Sequence, residues 1–360
     1  MTTSLFTPIQ LGQYSLKNRI IMAPLTRGRA GKHGIPDQLM AQYYQQRASA
    51  GLIIAEATAV SHDGRGWLNS PGLYNDEQQA GWQRVAQAVH QVGGRIFVQL
   101  WHMGAAVHPD FLNDEAPVSS SNITLTGQLP TPKGRDRGMA EPKPLTQEGI
   151  KEQVQNFVQA SRRAIDAGLD GIEIHAANGF LIDQFTRDST NKRSDEYGGS
   201  IDNRLRFMME VVTAVCNAIG ADKVGVRLSP TNSVWQVSDS QYKETFSQAV
   251  TKLNAFKLAY LHLLEPKPNS GHGMETIDYL TPLLREKYTG LFIANGGYDK
   301  ETAQDALNNQ LADAISFGVP FIANPDLTQR FKNNDELSIP NPDLFYTEGA
   351  EGYTDYTSVI

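Results

Sequence analysis

Short apolar runs punctuate this chain, and between them lie longer stretches in which apolar residues recur every three or four positions. The runs are RIIMA (19–23), LIIAEA (52–57), RIFVQL (95–100), GIEIH (171–175), VGVRL (224–228), LAYLHLL (258–264), LFIAN (291–295) and AISFG (314–318). They are short, apolar and mostly β-branched or aromatic, the pattern of strands buried on both faces. Helical spacing covers 38–50, 76–91, 146–168, 201–219, 239–256, 274–288 and 301–310. A glycine follows two of these helices directly, at Ala50-Gly51 and Ala167-Gly168, with the next strand close behind.

Strands alternating with helices in this number predict an α/β fold, a single (β/α)8 TIM barrel over 1–360 with an N-terminal cap. An open doubly wound sheet is the alternative. It would more naturally carry a G-x-G-x-x-G after the first strand, where PLTRGRAGKHG stands. No linker divides the chain. The stretch 101–145, rich in Pro, Ser, Gly and charge, reads as a functional excursion after the third strand. The tail FYTEGAEGYTDYTSVI is too aromatic for a simply disordered end.

In a barrel, chemistry belongs at the C-terminal ends of the strands. Those ends carry Pro24, Leu25 and Thr26, then Glu56 and Ala57, Gln99 with Trp101 and His102, His175, Arg227, Asn295 with Gly296 and Gly297, and Phe317 with Gly318. Strand alternation sets Ile96, Val98, Ile172, Ile174, Val224 and Val226 against the helices and turns Gln99, His175 and Arg227 inward. Such polar groups in a water-poor mouth need partners or a ligand. Glycines after the seventh and eighth strands suit the barrel's phosphate site. Arg227 suits an electron-accepting ring, and Gln99 a uracil-like edge that both donates and accepts. A flavin mononucleotide meets all three demands.

Composition narrows the rest. Hydrophobic residues make up 40% and charged residues 20%, ordinary for a globular enzyme, and the net charge of −7 argues against nucleic acid as the main partner. The single cysteine, Cys216, forms no intrachain disulfide and reads as inert core. The opening MTTSLFTPIQLG lacks a signal-peptide pattern, and no apolar run approaches the roughly 18 residues of a membrane span. A cytoplasmic enzyme, monomer or homodimer, is expected. The run KGRDRG (133–138) reads as a solvated loop, with contact to nicotinamide-cofactor phosphates as the alternative.

The stretches LKNRIIMAPLTR (16–27), YYQQRASAGLIIAEAT (43–58), IFVQLWHMG (96–104), GIEIHAANGFLIDQFTRDSTNKRSDEYGGSIDNR (171–204) and GYTDY (352–356) carry a family pattern across essentially the whole chain. The sequence resembles the old yellow enzyme family, and within it the bacterial N-ethylmaleimide and nitroester reductases. The resemblance implies FMN in a (β/α)8 barrel, reduced by NADPH or NADH, with hydride passing from flavin N5 to the β-carbon of an activated alkene. It puts Ala23, Pro24, Leu25 and Thr26 along the flavin, with Ala57 and Gln99 at the ring edge and Arg227 near N1 and O2. Asn295, Gly296, Gly297, Phe317 and Gly318 complete the flavin set. His175 and Asn178 match the pair that binds a carbonyl or nitro oxygen, and Trp67, Trp101, Phe180 and Tyr346 the substrate wall. His175, Asn178 and Thr26 are then the expected catalytic residues, and no metal is expected.

Two positions depart from the family pattern. Phe180 replaces the usual tyrosine proton donor, and Val319 replaces an arginine that meets the flavin phosphate. Protonation would then come from water or from a hydroxyl such as Tyr346, and the phosphate would rest on glycine amides plus another cation. Arg227 could also pair with Glu173. The competing functions are another FMN-barrel oxidoreductase, a metal-dependent hydrolase using His102, His175 and His262, and a non-catalytic flavin-binding protein.

Overall fold

The computed structural model describes residues 3–266 and 279–358. Strands Ile20–Met22, Leu52–Ala59, Ile96–Trp101, Gly171–His175, Val224–Leu228, Tyr260–Leu264, Phe292–Asn295 and Ala314–Phe317 pair in parallel in that order, and the eighth closes on the first. This is the expected (β/α)8 barrel, and each strand falls on its apolar run. Helices α1 (Gln38–Gln46), α2 (Asp76–Gln91), α3 (Gln147–Asp166), α4 (Leu181–Thr186), α5 (Ile201–Ile219), α6 (Tyr242–Asn254), α7 (Thr281–Glu286), α8 (Lys300–Asn308), α9 (Val319–Ala323) and α10 (Leu327–Asn333) accompany them.

Alternation works as the pattern required. Ile96, Val98, Ile172, Ile174, Val224 and Val226 pack with the helices in the outer core. Phe97, Tyr260, Ile54, Ile21 and Ile293 fill the interior with Leu11 and Leu16. Those two leucines come from an antiparallel hairpin, Ile9–Leu11 with Tyr14–Leu16, which caps the barrel. With the lower barrel filled, a ligand of the barrel belongs at its upper mouth.

Several boundaries differ from expectation, each for a local reason. α1 stops at Gln46 rather than 50, because Gly51 does not cap it; Gly51 enters the sheet. Its N–H donates to Ile20 O at 2.8 Å, and a Cβ there would lie 2.2 Å from Asn18 O. Gly168 does behave as a helix stop, at φ +84° after α3. α6 begins at Tyr242 because Asp239 is committed to Arg204 and to the backbone N–H of Gln241. α7 is helical only over Thr281–Glu286, with Pro282 in its first turn; residues 274–278 of the expected helix lie outside the described residues.

The second strand overruns its expected end, reaching Ala59 through a register shift between Ala55 and Thr58. That bulge releases Glu56 and Ala57 from regular pairing and re-aims them. Glu56 accepts from Arg27 N and the Tyr44 hydroxyl, and Ala57 reaches the barrel mouth. The KGRDRG segment is not a loop. Gly134–Gly138 pairs antiparallel with Gln128–Thr131, and Lys133 and Arg137 both approach Asp110 at 3.6 Å. Lys133 and Arg137 are thus matched to acids of the same excursion.

Candidate active site

A cavity of about 370 Å³ opens at the C-terminal mouth of the barrel. Its wall holds Pro24, Leu25, Thr26, Ala57, Gln99, His175, Arg227, Asn178, Phe180, Trp67, Trp101 and Tyr346, so most of the residues singled out in the sequence converge. Ala23, Asn295, Gly296, Gly297, Phe317 and Gly318 are not in this wall. Some adjoin it: Asn295 accepts from Arg227 of the wall, Ala23, just before Pro24, donates its N–H to Phe317 O, and Gly318 precedes Val319 of the wall. Val319, the departure after the eighth strand, faces the cavity and is half exposed.

Register explains the polar floor. Glu173 stands beside Gln99, and His175 beside Arg227, on adjacent strands. Gln99 Nε2 donates to Glu173 Oε1 at 2.7 Å, and His262 Nδ1 meets Glu173 Oε2 at 2.8 Å. His262 Nε2 continues to Ser316 Oγ at 2.8 Å. Burial works to raise the Glu173 pKa, but His262, Arg227 and Gln99 together leave it below the ordinary value. The pairing considered for Glu173 and Arg227 is thus displaced. Glu173 takes His262 and Gln99, while Arg227 Nη2 donates to Asn295 Oδ1 at 2.9 Å and Arg227 Nε finds no partner among the described residues.

His175 is buried, with Nδ1 unpaired among the described residues. Burial, then the charges of Arg227 and His262, hold its pKa well below the usual histidine range. The imidazole is neutral near pH 7. Trp101 Nε1 is also buried and unpaired. Orphaned buried donors are costly unless a ligand uses them. His175 Nδ1, Arg227 Nε and Trp101 Nε1 in one wall therefore fit a flat ligand with a polar edge. Two of the three histidines weighed as metal ligands are otherwise engaged. His262 is bonded at both nitrogens, and His102 accepts from Gly104 N at 3.0 Å and faces Asp63 at 3.4 Å. Among the described residues no group of three or more His, Cys, Asp and Glu is placed to hold a metal.

Aromatic rings make the other wall. Phe180 stands edge-on to Trp101 at 4.7 Å, to His175 at 4.8 Å and to Trp235 at 5.4 Å. Trp67 and Tyr346 meet at 5.2 Å at the rim, and Tyr346 is 56% exposed. Sequence reasoning missed Arg27, Asn232, Val234, Trp235, Ile322 and Phe345, all in the wall. Trp235 and Gln236 sit at φ +54° and +63°, uncommon for such residues, so the segment after the fifth strand is held in a strained turn over the cavity. Nothing in the run SVWQVS announces that turn.

A (β/α)8 barrel with a histidine, an arginine and a glutamine at its mouth fits a class, the flavin-dependent barrel oxidoreductases. The comparisons name the family. Residues 4–338 match the NADH:flavin oxidoreductase / NADH oxidase family. The chain is 42% identical over 370 residues to 12-oxophytodienoate reductase 7 of Oryza sativa subsp. japonica, covering 98% of this chain and 94% of the relative. The solved old yellow enzyme homologue from Zymomonas mobilis is 43% identical with TM-score 0.96, over 98% of this chain and 99% of that one. Morphinone reductase in complex with tetrahydroNAD is 41% identical with TM-score 0.94, over 100% and 98%. The chain belongs to the old yellow enzyme family and is an oxidoreductase that uses a flavin and a nicotinamide reductant.

Proposed function

We propose that this protein is an FMN-dependent ene-reductase, reduced by NADPH or NADH and acting on enones, maleimides, nitroalkenes and, as a further class, nitroesters. The observation that carries the proposal is the placement of His175 and Asn178 together in one cavity wall with Arg227 and Gln99. Thr26, Ala57, Gln99 and Arg227 would hold the FMN ring, with Ala23, Pro24 and Leu25 alongside and Asn295, Gly296, Gly297, Phe317 and Gly318 toward the phosphate. Bound FMN would supply hydride from N5 to the substrate β-carbon.

The chain's own residues do the remaining work. His175 and Asn178 donate to the substrate oxygen and strengthen those bonds as negative charge develops there. Because His175 is neutral, it donates without adding a full charge that would bind every anion equally. Trp67, Trp101, Phe180, Trp235 and Tyr346 keep water from the reacting face and limit the substrate to a flat, apolar body. Phe180 has no proton to give, so the second hydrogen comes from water or from Tyr346 at the rim.

The test is anaerobic. Purified protein, yellow as isolated or after FMN reconstitution, is bleached by NADPH or NADH and reoxidised by the substrate panel. Protein that stays colourless with FMN overturns the proposal, and flavin that no nicotinamide bleaches leaves a binding protein instead.

A further inference from the structure

An oxygen clamp that uses an asparagine depends on which end of its amide faces the ligand. The Asn178 amide presents a donor one way and an acceptor the other, and a half-turn exchanges them at little steric cost. Only the amino group serves a carbonyl or nitro oxygen.

The structure holds a chain of contacts that settles the choice. The backbone N–H of Val234 donates to Asn232 Oδ1 at 3.1 Å. A backbone N–H can only donate, so the Asn232 oxygen stays on that side and its amino group on the other. That amino group donates to Asn178 Oδ1 at 2.9 Å. The Asn178 oxygen is thereby taken, and Nδ2 is left to the cavity that both residues line. Asn178 cannot easily drift, because its backbone is in the left-handed region at φ +59° and its N–H donates to Ser229 Oγ at 2.8 Å.

We infer that Asn232 is a positioning residue that turns the donor end of the Asn178 amide toward the substrate oxygen. The inference rests on the oxygen-clamp reading of His175 and Asn178. It makes the strained segment after the fifth strand part of oxygen recognition, since the anchoring N–H belongs to Val234, next to Trp235 in that turn.

Two variants separate orientation from packing. Asn232→Asp keeps the shape and still accepts from Val234, but its second oxygen also only accepts. Asn178 must then turn its amino group to position 232 and its carbonyl oxygen to the cavity. Asn232→Leu removes the tie without imposing either orientation. The probes are unreducible: cyclohexanone, which only accepts, and cyclohexanol, which also donates. Each is titrated into the oxidised, FMN-loaded protein and followed by the change in flavin absorbance.

Cyclohexanone binding should weaken about tenfold or more in Asn232→Asp, with Asn232→Leu between it and the parent protein. The cyclohexanone-to-cyclohexanol affinity ratio should fall in the same order. If the Asp variant is milder than the Leu variant, or if both ligands shift equally, the positioning role is overturned. Should the Asp variant not fold, an unchanged ratio in Asn232→Leu overturns it. Asn178→Leu is the control for the underlying reading: unaltered cyclohexanone affinity there rejects the clamp itself.

Discussion

Phe180 is where a single residue says most. It is buried to within 8% of its surface, and its ring is fixed edge-on by Trp101, His175 and Trp235. Phe180 shares the cavity wall with His175 and Asn178, the proposed oxygen clamp. Phe180→Tyr should therefore raise the rate of reoxidation by enones by about a hundredfold or more, the lower end of what a positioned general acid supplies. Bleaching by NADPH should change by less than about twofold. Rapid-mixing measurement of both half-reactions checks this, and equal changes in the two would refute it. His175 gives a second expectation, on stability. Its folded pKa lies well below that of an unfolded histidine, chiefly through burial. The unfolded chain therefore binds the extra proton first as pH falls below about 6.5, and the folded state loses stability in that direction. In urea unfolding between about pH 6.5 and 5, His175→Gln should lower the pH slope of stability by up to about 1.4 kcal/mol per pH unit. At this scale the sequence was informative where strand alternation applied. His175, Arg227 and Gln99 follow from a period of two. Asn232 and Trp235 do not, because an irregular turn carries no periodicity.

At the scale of elements, a brace ties together the two strand-end segments that carry Asn178 and Asn232. Asp183 in α4 accepts from the Gly179 N–H at 2.9 Å and from Arg187 Nε at 2.8 Å. Arg187 then crosses to the next segment and donates to Ser229 O at 2.6 Å and Pro230 O at 3.3 Å. Both side chains of the pair are about 1–2% exposed. Burial, with a smaller push from Asp239, raises the Asp183 pKa against the opposition of Arg187 and the Gly179 N–H. Removing the guanidinium strands a buried carboxyl group, so Arg187→Met should cost about 3–5 kcal/mol in urea unfolding. Arg187→Met with Asp183→Asn should recover part of that loss, since an amide needs no counter-charge. Additivity of the two substitutions would count against the brace. The long strands and helices of this brace's surroundings were legible because burial imposes a repeat on them; α5 and the fourth strand match their expected limits to the residue. α4 was not, because six buried residues, LIDQFT, show no alternation of faces. The Gln128–Thr131 and Gly134–Gly138 hairpin was hidden for the opposite reason. Its strands are mostly polar, and only their pairing with each other and with Asp110 reveals them.

Over the whole molecule, the chain's last described segment returns to close the site it began. Arg27 Nη2 donates to Gly352 O at 2.8 Å and Nε to Phe345 O at 3.0 Å, while Arg29 Nη1 reaches Phe345 O at 2.7 Å. Arg47 donates to Phe321 O and Ile322 O, both at 2.8 Å. Tyr353 is fully buried and stacks on Tyr43 with centroids 4.0 Å apart, and Arg29 lies 4.6 Å from its centroid. These contacts hold Phe345 and Tyr346 at the rim of the cavity. The sequence showed the tail's aromatic content but not this destination, because contacts more than 300 residues apart leave no local pattern. Tyr353 also separates two kinds of stabilisation. Its hydroxyl is buried without a partner, so Tyr353→Phe should be neutral or slightly stabilising by removing an unsatisfied group. Tyr353→Ala deletes the ring between the arginines and Tyr43, and should cost about 3–5 kcal/mol in denaturant unfolding. The same variant should free the segment that carries Phe345 and Tyr346, so bound FMN should become more accessible to an added quencher. A phenylalanine variant as unstable as the alanine variant would show that the hydroxyl, and not the stacked ring, ties the tail to the barrel.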